Sequence, residues 1–534
     1  MGFGTSFDYV VVGAGTAGCA LAARLSEVPD RSVLLLEAGG SDDRPAVRAT
    51  DIGSMAGLWG DAGATWQYVT VPQAGLGGRT VPLPQGKMLG GGSSVNAMMY
   101  VRGNRRDFDR WRDLGNPGWG YADVLPYFQA AESYAGGDAA YRGRHGPLRV
   151  LDYPSPSVVS QAFVTAAGER TGHPGGAGAD YNGARQEDVP FYYQSTRSTA
   201  ARRCSTADAF LRPALGRPNL TVHTGATARR VLLDGDAAVG VEYLRDGVRH
   251  QVGAAAEVIV SAGTLGSPRL LMLSGIGPAD HLRACGIEPS AHLPGVGQNL
   301  HDHVLLGVGY AAELELPFPQ LLSEAGLFTH TPAADPAGPP NLQFFFGPVQ
   351  FVPDEYKIDG PGFTFAPILA QPRSRGTVTL NPAHPSGPPV VDPHYLEQGA
   401  DVDVLVEGIA VARELVGTAA FAGLRGRELA PGDGVRDRAA LAAYVRATAS
   451  TVWHPVGTCA MGTGPAAVVD PRLRVRGISG LRVADASIMP TITAGNTNAA
   501  AIMIGHRAAD LITGAGADTT GPAAPRAADL TRTA

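Results

Sequence analysis

The stretch Phe7-Asp8-Tyr9-Val10-Val11-Val12-Gly13-Ala14-Gly15-Thr16-Ala17-Gly18-Cys19-Ala20-Leu21 decides the fold. Residues 7–12 read as a buried strand, 13–18 as a tight turn and 17–26 as an Ala/Leu-rich helix, after which residues 32–37 return as a second strand. This is a β-α-β unit. Its turn fits G-x-G-x-x-G: Gly13 turns the chain, Gly15 lets backbone amides approach a pyrophosphate, and Gly18 lets the helix pack on the strand. Glu37 stands 19 residues after Gly18, at the end of the next strand, where a carboxylate can take ribose hydroxyls. A dinucleotide site follows from this context, with NAD and FAD both open because they share the fingerprint.

Two later segments repeat the pattern. A strand at 257–261 leads into a helix at 267–273, and a strand at 481–484 precedes a helix at 499–511. Three separated segments thus build one Rossmann-like α/β domain, predicted to span 1–154, 206–309 and 451–513. Strand-like stretches at 341–346 and 377–380 and an amphipathic stretch at 402–415 predict a second domain of α+β type, made of 155–205 and 310–450 and interleaved with the first. Residues 514–534, Ala, Thr, Pro and Gly with one isolated leucine, read as a disordered tail.

Composition narrows the classes. Over 534 residues, 44% apolar against 17% charged excludes a mainly disordered or fibrous chain. The net charge is −6 and the only lysines are Lys87 and Lys357, so no polybasic tract points to a nucleic acid. Cys19, Cys204, Cys285 and Cys459 lie far apart without a C-x-x-C, which argues against a zinc ribbon or disulfide framework and fits a cytoplasmic protein. No charged leader precedes the first strand and no uninterrupted run of apolar residues is long enough to span a bilayer, so neither a signal peptide nor a transmembrane segment is expected. A loose myristoylation match at 2–6 is read as accidental. No G-x-S-x-G or H-E-x-x-H occurs, which leaves hydrolase and metalloprotease readings unsupported. No metal site is predicted.

Glycine, 71 of 534, is about twice its average share and clusters again at Gly90-Gly91-Gly92. The run Gly86-Lys87-Met88-Leu89-Gly90-Gly91-Gly92-Ser93-Ser94-Val95-Asn96, with Arg102-Gly103-Asn104 and Asp107 beyond it, resembles the first signature of the glucose-methanol-choline (GMC) flavin oxidoreductases. Gly263-Thr264-Leu265-Gly266-Ser267-Pro268-Arg269, continuing to Gly277, resembles their second. The likeness continues through Gly295 to His303, His454-Pro455-Val456-Gly457-Thr458-Cys459 and Val483-Ala484-Asp485-Ala486-Ser487, and covers about residues 7–512.

The resemblance implies an FAD-binding domain with an interleaved substrate-binding domain. It implies FAD contacts at Gly13, Gly15, Thr16, Ala17, Gly18, Glu37 and Ala38, at Gly90, Gly92, Ser93, Asn96 and Ala97, and at Ala228, Ala262, Asp485 and Ala486. Some members attach the flavin through a histidine just before the asparagine; Val95 stands there, so FAD is expected to be non-covalent. The implied reaction is oxidation of a primary alcohol to an aldehyde, with oxygen or a quinone-like carrier as electron acceptor and a homodimer as one assembly.

Such a reaction needs a base for the hydroxyl proton, and imidazole titrates near working pH. His454 matches the family's catalytic histidine, and its second residue, His or Asn, is read at Asn498, whose amide can donate to the developing alkoxide. His301-Asp302-His303 is assigned to loop structure. On the substrate side, Glu324-Ala325-Gly326-Leu327-Phe328 resembles the E-x-G-x-F of choline oxidases, where the acid pairs with the substrate's ammonium. Those enzymes carry histidines where this chain has Phe345 and Val95, which speaks against a strict choline oxidase. Trp453 and Phe345 suit an aromatic, furanic or otherwise apolar alcohol. A choline-type enzyme and a GMC-fold lyase or decarboxylase are the alternatives.

Overall fold

The structure is a computed structural model that describes residues 3–514. The predicted tail therefore lies outside the described residues except for Gly514, which closes the last helix in left-handed conformation.

The first sheet is built on β1 (Ser6–Val12), β2 (Val33–Leu36), β3 (Leu220–His223), β4 (Ala226–Asp234), β5 (Ala237–Arg245), β6 (Val248–Val260) and β7 (Leu481–Val483). The order β3-β2-β1-β6-β7 is parallel throughout, and the β4-β5 hairpin joins β6 antiparallel. Parallel strands are covered on both faces, so they read as continuous apolar runs; Val10 to Val12 and Val33 to Leu36 are buried accordingly. Three helices leave this sheet: α1 (Thr16–Leu25) after β1, α2 (Gly263–Leu273) after β6, and α3 (Asn498–Thr513) downstream of β7. Helices α1 and α3 cross closely, since a Cβ on Gly505 would meet the Ala17 carbonyl oxygen at 2.4 Å.

The second sheet runs, edge to edge, Arg425–Ala430, Val308–Ala312, Gly362–Leu369, Leu342–Gly347, Ala325–Thr329 and Phe191–Tyr192, all antiparallel. Alternation along Leu342–Gly347 divides its side chains. Phe344 and Phe346 pack with Phe163 of the helix Val158–Thr171 beside the helix Gly399–Val416, whereas Phe345 faces the opposite way with Tyr193 and Phe328. The segment expected at 377–380 is a strand, Thr377–Thr379, but it pairs with Val390–Asp392 in a separate ribbon.

Candidate active site

One cavity of about 780 Å³ takes walls from both sheets. Its first end is the turn after β1. Gly13 has φ +105°, and a Cβ there would sit 2.4 Å from the Ser261 carbonyl oxygen; a Cβ on Gly18 would meet the Gly13 carbonyl oxygen at 1.9 Å. Gly15 differs: a Cβ would meet nothing within 4 Å and would stand in the cavity that Gly15 lines. The first and third glycines are thus required by the protein's own backbone, and the second keeps space for a ligand. Gly15 caps α1 with no side-chain bond, so the helix's first amides have no side-chain partner at a helix start, Gly15 and Thr16, that lines the cavity, an arrangement suited to an anion.

Glu37 closes this end. Its carboxylate accepts from the Ala14 amide (2.9 Å) and the Gly39 amide (2.8 Å), and burial pushes its pKa up to about 7. The loop 90–92 lies directly on the turn: a Cβ on Gly91 would meet the Gly15 Cα at 2.6 Å, while one on Gly92 would have nothing nearer than 3.9 Å. Two glycines open to the cavity, a buried carboxylate and an uncapped helix start form a cradle that fits FAD.

Of the positions expected to touch FAD, Gly13, Gly15, Thr16, Glu37, Ala38, Gly92, Asn96, Ala97, Ala228, Ala262 and Ala486 line the cavity. Ala17, Gly18, Gly90, Ser93 and Asp485 stand behind the wall. The Ser93 hydroxyl donates to the Gly90 carbonyl (2.6 Å). The Asp485 carboxylate accepts from the Gly263 amide (2.9 Å), the Ser267 hydroxyl (2.5 Å) and the Ser487 amide (2.8 Å). Asp485 therefore fixes the start of α2 and presents Ala486, instead of reaching the ligand space itself. Val95 lines the cavity with an inert side chain.

The other end holds His454. Its Nδ1 lies 3.0 Å from His303 Nδ1, and its Nε2 lies 3.4 Å from the Asn496 amide nitrogen. The tautomers follow from the partners. His303 Nε2 is 3.1 Å from the Ala370 carbonyl, an acceptor, so it carries the proton. Burial holds His303 neutral, with its pKa lowered to about 4, so His303 Nδ1 has a lone pair. His454 Nδ1–H then donates to it, and the lone pair of His454 is left on Nε2. Burial and the neighbouring His303 keep His454 well below its ordinary pKa, so its neutral, basic form prevails at pH 7.

Asp302 anchors this pair. Its carboxylate accepts from the His454 and His303 amides (2.7 and 2.9 Å) and from the Thr451 and Tyr395 hydroxyls (2.5 Å each). Trp453, inside this clamp, has φ +60°, a left-handed conformation that a bulky residue adopts only when its surroundings enforce it. Asp302 and His303, read in sequence together with His301 as loop structure, thus support His454. Among the described residues no group of three or more His, Cys, Asp or Glu is placed to hold a metal.

Two expectations change. Asn498, expected beside His454, is the first residue of α3, and its Oδ1 accepts from the Thr16 hydroxyl (3.0 Å) at the nucleotide end. Asn496, two residues earlier and not singled out, is the amide next to His454; its own Oδ1 is buried without a partner. The sequence offered two asparagines with the same chemistry, and only the helix start separates them. Glu324 also lies off the cavity wall. Its carboxylate accepts from the Ser157 amide (2.8 Å), the Ser157 hydroxyl (2.6 Å) and the Tyr153 hydroxyl (3.0 Å), tying the second sheet to the start of the helix Val158–Thr171. Phe345 and Trp453 do line the cavity, with Trp59, Leu305, Ala366, Val349 and Phe351. Trp59 and Trp453 meet edge to face at 4.7 Å. Among the described residues Glu37 is the only acid on the wall.

The chain matches the GMC oxidoreductase family over residues 7–305 for its N-terminal part and 372–505 for its C-terminal part. It is 40% identical to an oxygen-dependent choline dehydrogenase of Sinorhizobium medicae, over 95% of each chain. It is 41% identical to a GMC-type oxidoreductase of Mycobacterium tuberculosis, over 95% of this chain and 99% of that one. Among solved structures, pyridoxine 4-oxidase from Mesorbium loti superposes with a TM-score of 0.87 at 35% identity, covering 94% of this chain and 98% of its own.

Proposed function

This chain belongs to the GMC oxidoreductase family, and from that premise we propose how its cavity oxidises an alcohol. The protein is an FAD-dependent alcohol oxidoreductase. The finer reading is that FAD is held without a covalent bond, because Val95 has no nucleophile, by the division of the chain into the FAD-binding and substrate-binding domains given above. FAD, when bound, supplies the two-electron acceptor for the hydride.

The chain's own residues do the rest. His454 Nε2 accepts the hydroxyl proton, and the Asn496 amide, 3.4 Å from that nitrogen, donates to the oxygen as negative charge develops there. His303 and Asp302 keep the imidazole in the one tautomer and orientation that leaves Nε2 basic. Phe345, Ala366, Leu305 and Trp453 make an apolar wall that excludes water and orients the carbon chain.

This wall carries the substrate reading: a neutral aromatic or apolar primary alcohol. A quaternary ammonium would meet aromatic rings but no carboxylate, since Glu324 is engaged elsewhere. A cytoplasmic location fits four cysteines that are all buried and unpaired.

The test is anaerobic mixing of the yellow protein with a panel of benzylic, furanic, aliphatic and quaternary-ammonium alcohols. Fast bleaching by the aromatic or apolar members supports the reading. Preference for choline would overturn the substrate class, and flavin left oxidised by every alcohol would return the protein to a lyase or decarboxylase. Oxygen and a quinone analogue, supplied separately to the reduced protein, distinguish the acceptors.

A further inference from the structure

Among the described residues, Arg203 is a buried cation with no acid in contact. Its residue is 4% exposed, and none of its hydrogen bonds goes to a carboxylate. Nε donates to the Val47 carbonyl (2.9 Å), and Nη1 to the carbonyls of Ser93 (3.3 Å) and Asn96 (2.6 Å) and to Asn96 Oδ1 (2.8 Å). Nη2 is buried without a partner. Asp208, the one acid whose charge reaches it, is bonded instead to Arg212 (3.1 Å) and to the Ser205 hydroxyl (3.2 Å).

A lone guanidinium in a dry interior is costly, and the interactions seen here offset only part of that cost. Among the described residues, the buried Arg102 and Arg142 both reach Glu132 (2.8 Å each), Arg142 also reaches Asp180 (2.5 Å), and Arg482 reaches Glu257 (2.6 Å), whereas the buried Arg197 has no acid and donates to the Ser195 hydroxyl (2.7 Å) and the Asp152 carbonyl (3.0 Å). Arg203 is thus one of two buried arginines without an acid among the described residues, and of the two it is the one bonded to the cavity wall, through Asn96. The group it grips gives the direction. Asn96 lines the cavity together with Val95 and Ala97, so the guanidinium sits one residue behind the wall. It takes up the carbonyls at the end of the short turn Gly92–Val95 and fixes Asn96 through backbone and side chain at once.

We propose that Arg203 is a positioning and electrostatic residue for the flavin: it locks the wall formed by residues 92–97, and its unpaired charge favours the reduced, anionic state of the bound cofactor over the oxidised, neutral one. Uptake of two electrons and one proton leaves the flavin ring with one negative charge, which is the counter-charge that Arg203 lacks in the protein. The inference rests on the FAD reading of the cavity. A protein purified without flavin, and unable to take it up, would undo that reading before Arg203 is in question.

Two variants separate charge from grip. Arg203→Gln keeps a donor for the carbonyls and discards the charge; Arg203→Lys keeps the charge with fewer donors. The measurements are the two-electron midpoint potential of the bound flavin and its dissociation constant. Arg203→Gln is expected to weaken reduced FAD at least tenfold more than oxidised FAD, a potential lower by about 30 mV. Arg203→Lys is expected to keep the potential near wild type while binding both redox states more weakly. A wild-type potential in Arg203→Gln, or equal losses in the two variants, would overturn the electrostatic role. Variants that fail to fold even as apoprotein would make Arg203 a structural cation and overturn it equally.

Discussion

The two ends of the cavity are assembled in opposite ways. The centre of the nucleotide end comes from nearby chain, with the loop 90–92 laid on it: Gly13 to Thr16 stand on one turn and Glu37 at the end of the neighbouring strand, with Glu37 bonding back to Ala14 and Gly39. The hydride end gathers His303, Ala370, Tyr395, His454 and Asn496 from segments far apart in sequence. The difference teaches that a backbone-made ligand site is held by local geometry, whereas a base with a fixed tautomer needs a network. Damage to the first should weaken binding, and damage to the second should slow chemistry with the cofactor still held.

The largest effect should come from His454→Ala. Flavin reduction by alcohol in stopped flow should fall ~10²- to 10⁴-fold, the usual contribution of a general base, with FAD content unchanged. Loss of FAD instead would break the contrast between the ends. Because His454 is held well below its ordinary pKa, the wild-type kcat/KM should be flat in this group through neutral pH and drop only well into acid, as the imidazole takes a proton. An acid limb centred near pH 7 and abolished in His454→Ala would mean that the histidine is more exposed in solution.

Next is the pair of asparagines. Asn496→Ala should slow flavin reduction ~10²- to 10³-fold, the scale for losing one donor to a developing oxyanion, without moving the acid limb, since an amide does not titrate there. Asn498→Ala should act mainly on FAD affinity through Thr16. The reverse pattern would restore Asn498 as the catalytic amide.

Glu37→Gln should weaken FAD by about 1.5–3 kcal/mol, the range for a hydrogen bond to a charged group, measured by titrating apoprotein. Its pH dependence sharpens the point. Burial raises the free carboxyl to about 7, and the ribose hydroxyls prefer the ionised form. FAD affinity should therefore rise with pH up to about 7 and level off above it. The Gln variant should lose that slope.

The smallest effect is Ser157→Ala, at the cap of the helix Val158–Thr171. It should lower global stability by about 0.5–2 kcal/mol and leave the flavin potential and the substrate preference alone. A changed alcohol profile would bring Glu324 back to the substrate side.

Much of the framework was legible in the sequence because its signals are local. The turn after β1, the apolar runs of β1 and β2 and the long helix Gly399–Val416 follow from spacing and periodicity. The β4-β5 hairpin and the second-sheet strands Val308–Ala312, Ala325–Thr329 and Gly362–Leu369 were not, because they are buried on both faces or belong to a mixed surface pattern and show no clean alternation.

By itself the sequence determined the dinucleotide turn, the acid beside it, the absence of a nucleophile at Val95 and the histidine before Pro455. Each of these depends on residue type at short spacing. Tertiary structure alone decided that Asn496 and not Asn498 faces His454, that Glu324 is taken up by Ser157 at a helix cap, and that His303 and Asp302 set the tautomer of His454. Those are questions of direction. Residue identity says what a side chain can bond, and only the packing of distant segments, through the hydrogen bonds each group has already made, says which way it points.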